Sequence, residues 1–261
     1  MDEPVVMVDP PGRGRLRTEQ RRVRSGDADA DRVLRLDGVA RYAQDIAFDD
    51  VHDAAAGGDE GLWVLRRTVI VVHRLPVFHD PVQVRTWCSG IGARWCTKRT
   101  TVSSAGGARV EVEGFWVTVD AGTGRPAPLS PRMVAIFAPS AAPEPLRWRR
   151  LLPARPGGTS GAVRRPVPLR STDVDWMGHV NNATCWSVVE QVLPGLRATP
   201  VEAVLEHAGP IAADDQLEVL VEPAAGATLV WFLVGDTVRA VARVRPVGRE
   251  VPPLPSGSTT E

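Results

Sequence analysis

A short pattern occurs twice in this chain, 146 residues apart: Arg24-Ser25-x-Asp27-x-Asp29 and Arg170-Ser171-x-Asp173-x-Asp175. The same shift brings Gln44 onto Glu190. Each copy precedes the same order of periodicities, so the chain reads as one unit used twice. In the first unit residues 21–25 predict a short strand, and Asp37 offers a helix N-cap. Val39, Tyr42, Ala43, Ile46 and Ala47 then fall along one helical face. Segments 62–74, 82–90, 94–103 and 108–120 follow, rich in Val, Thr and Trp and separated by Pro or Gly-Gly turns. The second unit predicts a strand at 167–170, a helix capped by Asn182 and ended by Pro194-Gly195, and strands at 201–211, 216–222, 228–234 and 237–247.

A strand, one helix and four strands, twice over, predicts an α+β fold. Each antiparallel sheet wraps around a central helix, and each unit shields an edge strand of the other. The expected layout is an N-terminal arm (1–18), a first unit (19–138), a Pro/Arg-rich linker (139–165), a second unit (166–247) and a tail (248–261), the arm and tail lacking periodicity. Thirty-one basic and thirty-one acidic residues give zero net charge, which argues against a general nucleic-acid or membrane-surface binder. No apolar run approaches the ~20 residues that span a bilayer. The start, Met1-Asp2-Glu3-Pro4, lacks the order of a signal peptide. Three cysteines without a CxxC pair predict neither a disulfide scaffold nor a metal site, and a cytoplasmic setting is expected. Lys98 is the only lysine.

Chemistry concentrates in residues 171–182, where a carboxylate, a glycine, an imidazole and two amides stand before a helix. A turn there presents N–H groups, made more electropositive by the helix end, to anything bound at its mouth. Gly178 permits a close approach of the backbone, and Asp175 and His179 have the spacing to act together as base and partner. The alternative is an Asx-type turn with a capping Asn182 and a merely hydrogen-bonded His179.

The run Asp-x-Asp-x-x-Gly-His-Val-Asn-Asn, followed by a helix carrying Glu190, resembles the signature of hotdog-fold thioesterases. The doubled arrangement is similar to the acyl-acyl-carrier-protein thioesterases of plant plastids and bacteria. So are Leu62-Trp63-Val64-Leu65-x-Arg67 with Pro76, Asp80, Val82 and Thr86-Trp87, and the helical stretch from Leu36 to Ala47. The resemblance covers roughly residues 19–247. It implies a tandem hotdog fold and hydrolysis of fatty acyl-acyl carrier protein to free acid. Asp175 would be base or nucleophile, and His179 would orient water or substrate. Gly178, Val180, Asn181 and Asn182 would form the oxyanion turn. The family's Asn two residues before the His is Met177 here, and its Glu-Cys pair falls at Pro210-Ile211, so a simpler mechanism resting on Asp175 and backbone donors is expected.

The first unit has Val33 where the shift places His179, which implies one working site per chain, with the first half supplying a wall and Gln44. Glu190 is a candidate inward polar group, and Trp176 a candidate lining of the acyl channel. Six arginines between 147 and 165 with no acid (Arg147, Arg149, Arg150, Arg155, Arg164 and Arg165) suit docking of an acidic carrier protein. No metal or cofactor is expected. The partner is an acyl-carrier-protein or CoA thioester, and the assembly a monomeric pseudo-dimer or a homodimer. The rivals are an acyl-CoA or aryl-CoA thioesterase, a hotdog dehydratase and a non-catalytic acyl-binding protein.

Overall fold

In the computed structural model, which describes residues 7, 9–55, 61–196 and 200–247, all ten strands pair antiparallel in one sheet. The first half supplies β1 (Leu16–Arg22), β2 (Leu62–Arg74), β3 (Pro81–Ile91), β4 (Trp95–Ser103) and β5 (Arg109–Val119). The second supplies β6 (Val163–Pro166), β7 (Val201–His207), β8 (Leu217–Ala224), β9 (Ala227–Val234) and β10 (Thr237–Pro246). The order across the sheet is β1-β3-β4-β5-β2-β7-β10-β9-β8-β6, so the two expected sheets are halves of a continuous one, joined where β2 pairs with β7. That junction satisfies two edges at once.

Helices α1 (Leu36–Ala55) and α3 (Asn182–Val192) pack on one face of this sheet. Leu36, Val39, Tyr42 and Ile46 of α1 meet Ala183, Trp186 and Val189 of α3 in a shared core with Ile70, Val112, Leu205 and Phe232 from the strands. A short helix, α2 (Pro131–Phe137), buries Met133 and Phe137 in a smaller cluster beneath α1. It was absent from the expected elements, although Ser130 caps it and Pro131 opens it, a standard helix start.

The 146-residue shift holds in three dimensions. Single 3-10 turns span Ser25–Asp27 and Ser171–Asp173, isolated bridges join Ala28 to Leu34 and Val174 to Val180, and the helices begin at Leu36 and Asn182. Arg32 and Gly178, equivalent by the shift, both take positive φ, at 66° and 79°.

Several expectations need correction. Residues 16–18, assigned to the arm, open β1, because alternation along 16–22 pairs it with β3. Residues 1–6 and 8 of the arm, and the tail 248–261, lie outside the described residues. Asp37 sits inside the first turn of α1 and does not cap it. Asn181 caps α3, accepting from the Ala183 N–H at 2.8 Å, and Asn182 is the first helical residue. The second unit's first strand is 163–166, not 167–170, since residues 163–166 reach the free edge of β8.

Residues 148–159 form a strap pinned across the face opposite the helices. Leu152 is buried there against Val204, Trp231 and Val241. Glu206 accepts the Leu151 and Leu152 N–H groups at 3.0 and 3.2 Å, and Glu222 accepts those of Gly157 and Thr159 at 3.2 and 2.8 Å. Two buried carboxylates, one near the centre of the sheet and one toward its far edge, thereby fix a segment whose composition reads as a loose linker.

Candidate functional site

Asp175 heads a tight turn and is half-buried. Its N–H bonds the His179 carbonyl, and its own carbonyl accepts from the Gly178 N–H, both at 2.9 Å. The positive φ of Gly178 closes that loop, a conformation glycine adopts without steric cost. The Asp175 carboxylate takes the Met177 N–H at 3.0 Å and the Asn181 side-chain amide at 3.3 Å. Asn181 in turn caps α3, so the acid is tied directly to the start of that helix. His179 is half-buried on the same turn and pairs as an isolated bridge with Ala212.

The expected oxyanion donors are mostly spent. The Gly178 N–H serves the turn, that of Val180 bonds the Ile211 carbonyl, and that of Asn181 bonds the Asp173 carbonyl. The Asn182 N–H, one residue further, has no acceptor among the described residues. Asn182 also lines the main cleft.

That cleft encloses about 350 Å³, part of it open to solvent. Ala40, Ala43 and Gln44 of α1 form one wall, Asn182 and Trp186 of α3 another. Its floor is the first half's sheet: Leu65, Thr68, Lys98, Thr100, Val112, Gly114 and Trp116. A second, half-open cavity spanning about 220 Å³ with its solvent-facing part, between Ala47, Phe48 and Val51 of α1 and Trp63 and Cys96 of the sheet, shares Lys98 and Trp116 with the first. Both run along α1, so the space is continuous in direction and mainly apolar.

The sequence-derived candidates fall into three groups. Gln44 and Asn182 lie in the cleft, while Asp175, His179, Gly178, Val180 and Asn181 form the turn behind its α3 wall. Trp176 is 80% exposed at the tip of the turn and lines no part of the cleft; Trp186, one turn into α3, occupies that place. Arg147, Arg149 and Arg150 are exposed where the strap begins, across the sheet from the cleft, and Arg164 is paired with Glu218 at 2.6 Å. The floor residues Thr68, Lys98 and Thr100 were not among the candidates. Their one sequence signal is a lone lysine within a Thr-rich strand.

Glu190 has a different task. Its Oε1 accepts the Leu36 N–H at 3.0 Å, so a side chain of α3 caps the start of α1. Under the 146-residue shift, Leu36 corresponds to Asn182 and Glu190 to Gln44. One helix start is therefore sealed by a carboxylate. The other faces a cleft whose nearest counterpart is a neutral amide.

Burial pushes the Cys185 thiol up to about 12, which leaves it protonated and unfit as a nucleophile. Burial, aided by the Arg66 guanidinium, pushes His207 down to about 3, so it stays neutral. No cluster of His, Cys, Asp and Glu with metal-ligand geometry occurs among the described residues. No described helix is long and apolar enough to cross a membrane.

Comparison with known proteins matches residues 14–137 to the acyl-ACP thioesterase N-terminal domain and residues 159–238 to the acyl-ACP thioesterase C-terminal domain. An uncharacterised protein of Mycobacterium tuberculosis is 34% identical over 247 residues, 94% of this chain and 97% of its own length. A chloroplastic palmitoyl-acyl carrier protein thioesterase of Arabidopsis thaliana is 26% identical over 199 residues, and the match spans 68% of this chain and 48% of that protein. Among solved structures, the 12:0-ACP thioesterase from Umbellularia californica superposes with a TM-score of 0.71 at 18% identity, over 89% of this chain and 98% of its own. An acyl-ACP thioesterase from Bacteroides thetaiotaomicron gives 0.72 at 16% identity, over 88% and 97%. These likenesses carry the tandem hotdog fold.

Proposed function

Because the chain belongs to the acyl-acyl-carrier-protein thioesterase family, we propose that it cleaves fatty acyl-acyl carrier protein where the cleft meets the start of α3. The acyl chain lies along α1 between the helices and the floor of the first half. The carbonyl oxygen points at the Asn182 N–H, where the helix end favours developing negative charge. Asp175 takes a proton from water as its oxygen attacks the carbonyl carbon, and His179 orients that water. When the C–S bond breaks, the proton passes from Asp175 to the leaving thiolate, and free acid departs.

The observation that carries this reading is the asymmetry of the two helix starts. Glu190 fills one, while the other opens on a cleft with Gln44 beside it. A duplicated fold that seals one of two equivalent positions retains one site. The exposed arginines of the strap supply long-range attraction for an acidic carrier protein rather than its final seat, since they lie on the opposite face.

One observation favours a second reading, an acyl-binding protein without turnover. Both Asp175 oxygens are engaged within the turn, and the residue does not line the cleft. The Asp175→Asn variant separates the two. Hydrolysis requires kcat on acyl-carrier-protein substrate to fall at least a hundredfold while the melting temperature stays within a few degrees. The binding reading requires no turnover in either protein and equal acyl affinity. Matched acyl-CoA substrates, assayed at low and high salt, report the carrier contribution: only the carrier-protein kcat/KM should fall with salt.

A further inference from the structure

The cleft floor contains more hydrogen-bonding capacity than a plain hydrocarbon chain needs. Thr68, Gly114 and Lys98 stand side by side on three neighbouring strands, since both Thr68 and Lys98 pair directly with Gly114. Thr68 is 4% exposed, and its hydroxyl has no partner among the described residues. Lys98 is 3% exposed; its ammonium bonds Asp50 of α1 and faces the Phe137 ring at 4.0 Å. An ammonium carries three donors, and among the described residues one acceptor is present. Between them Gly114 has no side chain, and the Trp116 indole packs into the space this leaves: a β-carbon there would lie 2.5 Å from the indole nitrogen, a further donor on the cleft floor.

Hydroxyl, indole and ammonium thus line one stretch of the cleft floor, and Lys98 and Trp116 also line the second cavity. Along α1, Gln44 at the mouth and Asp50 beside Lys98 are six residues apart, about 9 Å at 1.5 Å per residue. A methylene chain crossing here leaves the buried donors unmatched, a state that costs ~1–3 kcal/mol for each unsatisfied group. An oxygen at that depth accepts from them. Asp50 divides its single charge between Lys98 and Arg15, which it takes at 2.6 Å on its other oxygen, so the lysine keeps donor capacity for an oxygen acceptor.

We propose that the preferred acyl group carries an oxygen, as a hydroxyl or keto group, part-way along its chain, held by Thr68, Lys98 and Trp116 beside Gly114. This rests on reading the cleft as the acyl site. The test compares carrier-protein thioesters of an unsubstituted twelve-carbon acyl chain and of its monohydroxy isomers. One mid-chain isomer should exceed the unsubstituted chain in kcat/KM by about tenfold, the equivalent of ~1.4 kcal/mol. Thr68→Val, which keeps shape and removes the hydroxyl, should reduce that ratio severalfold, and so should Lys98→Met. If Lys98→Met fails to fold, Thr68→Val decides alone.

Equal or better hydrolysis of the unsubstituted chain overturns the proposal, as does a ratio unchanged in Thr68→Val. Quenching of Trp116 and Trp186 by the free acids reads the preference without turnover. Tighter binding of the same hydroxy acid with no hydrolysis of any thioester sinks the proposed activity and leaves this inference standing. Equal binding of the two acids overturns the inference whatever the activity.

Discussion

Replacing Gln44 by glutamate should turn the open helix start into a copy of the sealed one. In the sealed arrangement, Glu190 accepts the first N–H of α1 at 3.0 Å from a half-buried position. Gln44 is also half-buried and shares the cleft with Asn182, the first residue of α3. A carboxylate there meets the N-terminal end of the helix dipole, worth ~0.3–1 kcal/mol. For a chain of this size that raises the melting temperature by roughly 1–4 °C. The same contact occupies the donor proposed for the oxyanion and sets a negative charge where another must develop. Removal of one such donor costs about a hundred- to a thousandfold in kcat. Gln44→Glu should therefore gain stability and lose activity together, an uncommon pairing for a substitution inside a cleft. Steady-state hydrolysis of an acyl-carrier-protein substrate at pH 8, beside thermal unfolding of the same samples, measures both. A kcat within threefold of the parent would refute the assignment of the α3 start as the site of carbonyl binding.

Three further outcomes are expected. Glu190→Ala leaves the α1 start uncapped and should cost ~1–2 kcal/mol, seen as a fall in melting temperature, whereas Glu190→Gln should recover part of it by retaining an acceptor. Gly178→Ala places a β-carbon at φ 79° and should cost ~1–2 kcal/mol in chemical denaturation, while Arg32→Gly at the equivalent position should be near neutral or stabilising. The third concerns acid. His207 titrates near 3 when folded and near 6.5 when unfolded, so the unfolded chain binds its proton first. Stability is complete above about pH 6.5 and declines toward pH 3, by ~2 kcal/mol at pH 5, and His207→Gln should flatten that part of the pH–stability curve.

The duplication was legible because its marks are local. Arg-Ser-x-Asp-x-Asp encodes a turn whose hydrogen bonds close within a few residues, and both copies make equivalent turns. Helix starts were less legible where the cap comes from afar. Asp37 has the chemistry of an N-cap, but α1 begins one residue earlier because Glu190, 154 residues away, supplies the acceptor. At α3 either Asn181 or Asn182 suits the role. The choice falls to Asn181 because the Val180 N–H is held by the Ile211 carbonyl, which sets the entry of the chain. The motif around Asp175 and His179 was visible in the sequence, yet the cleft it serves lies mainly in the other half. Register alone brings Thr68, Gly114 and Lys98 abreast, and register across β2, β5 and β4 is a long-range property.

The pairing of β2 with β7 has a consequence during synthesis. β2 ends at Arg74, and its partner starts at Val201, so the ribosome must add well over a hundred residues before that edge is covered. At roughly 5–20 residues per second the interval lasts on the order of ten seconds. Throughout it, the nascent first half displays one free edge of β2, and Arg67 to Val72, the six residues that β7 later pairs, stand ready to recruit a neighbouring polypeptide. Slowing translation between these two strands should divert product into aggregates, and a chaperone that shields bare strand edges should restore it.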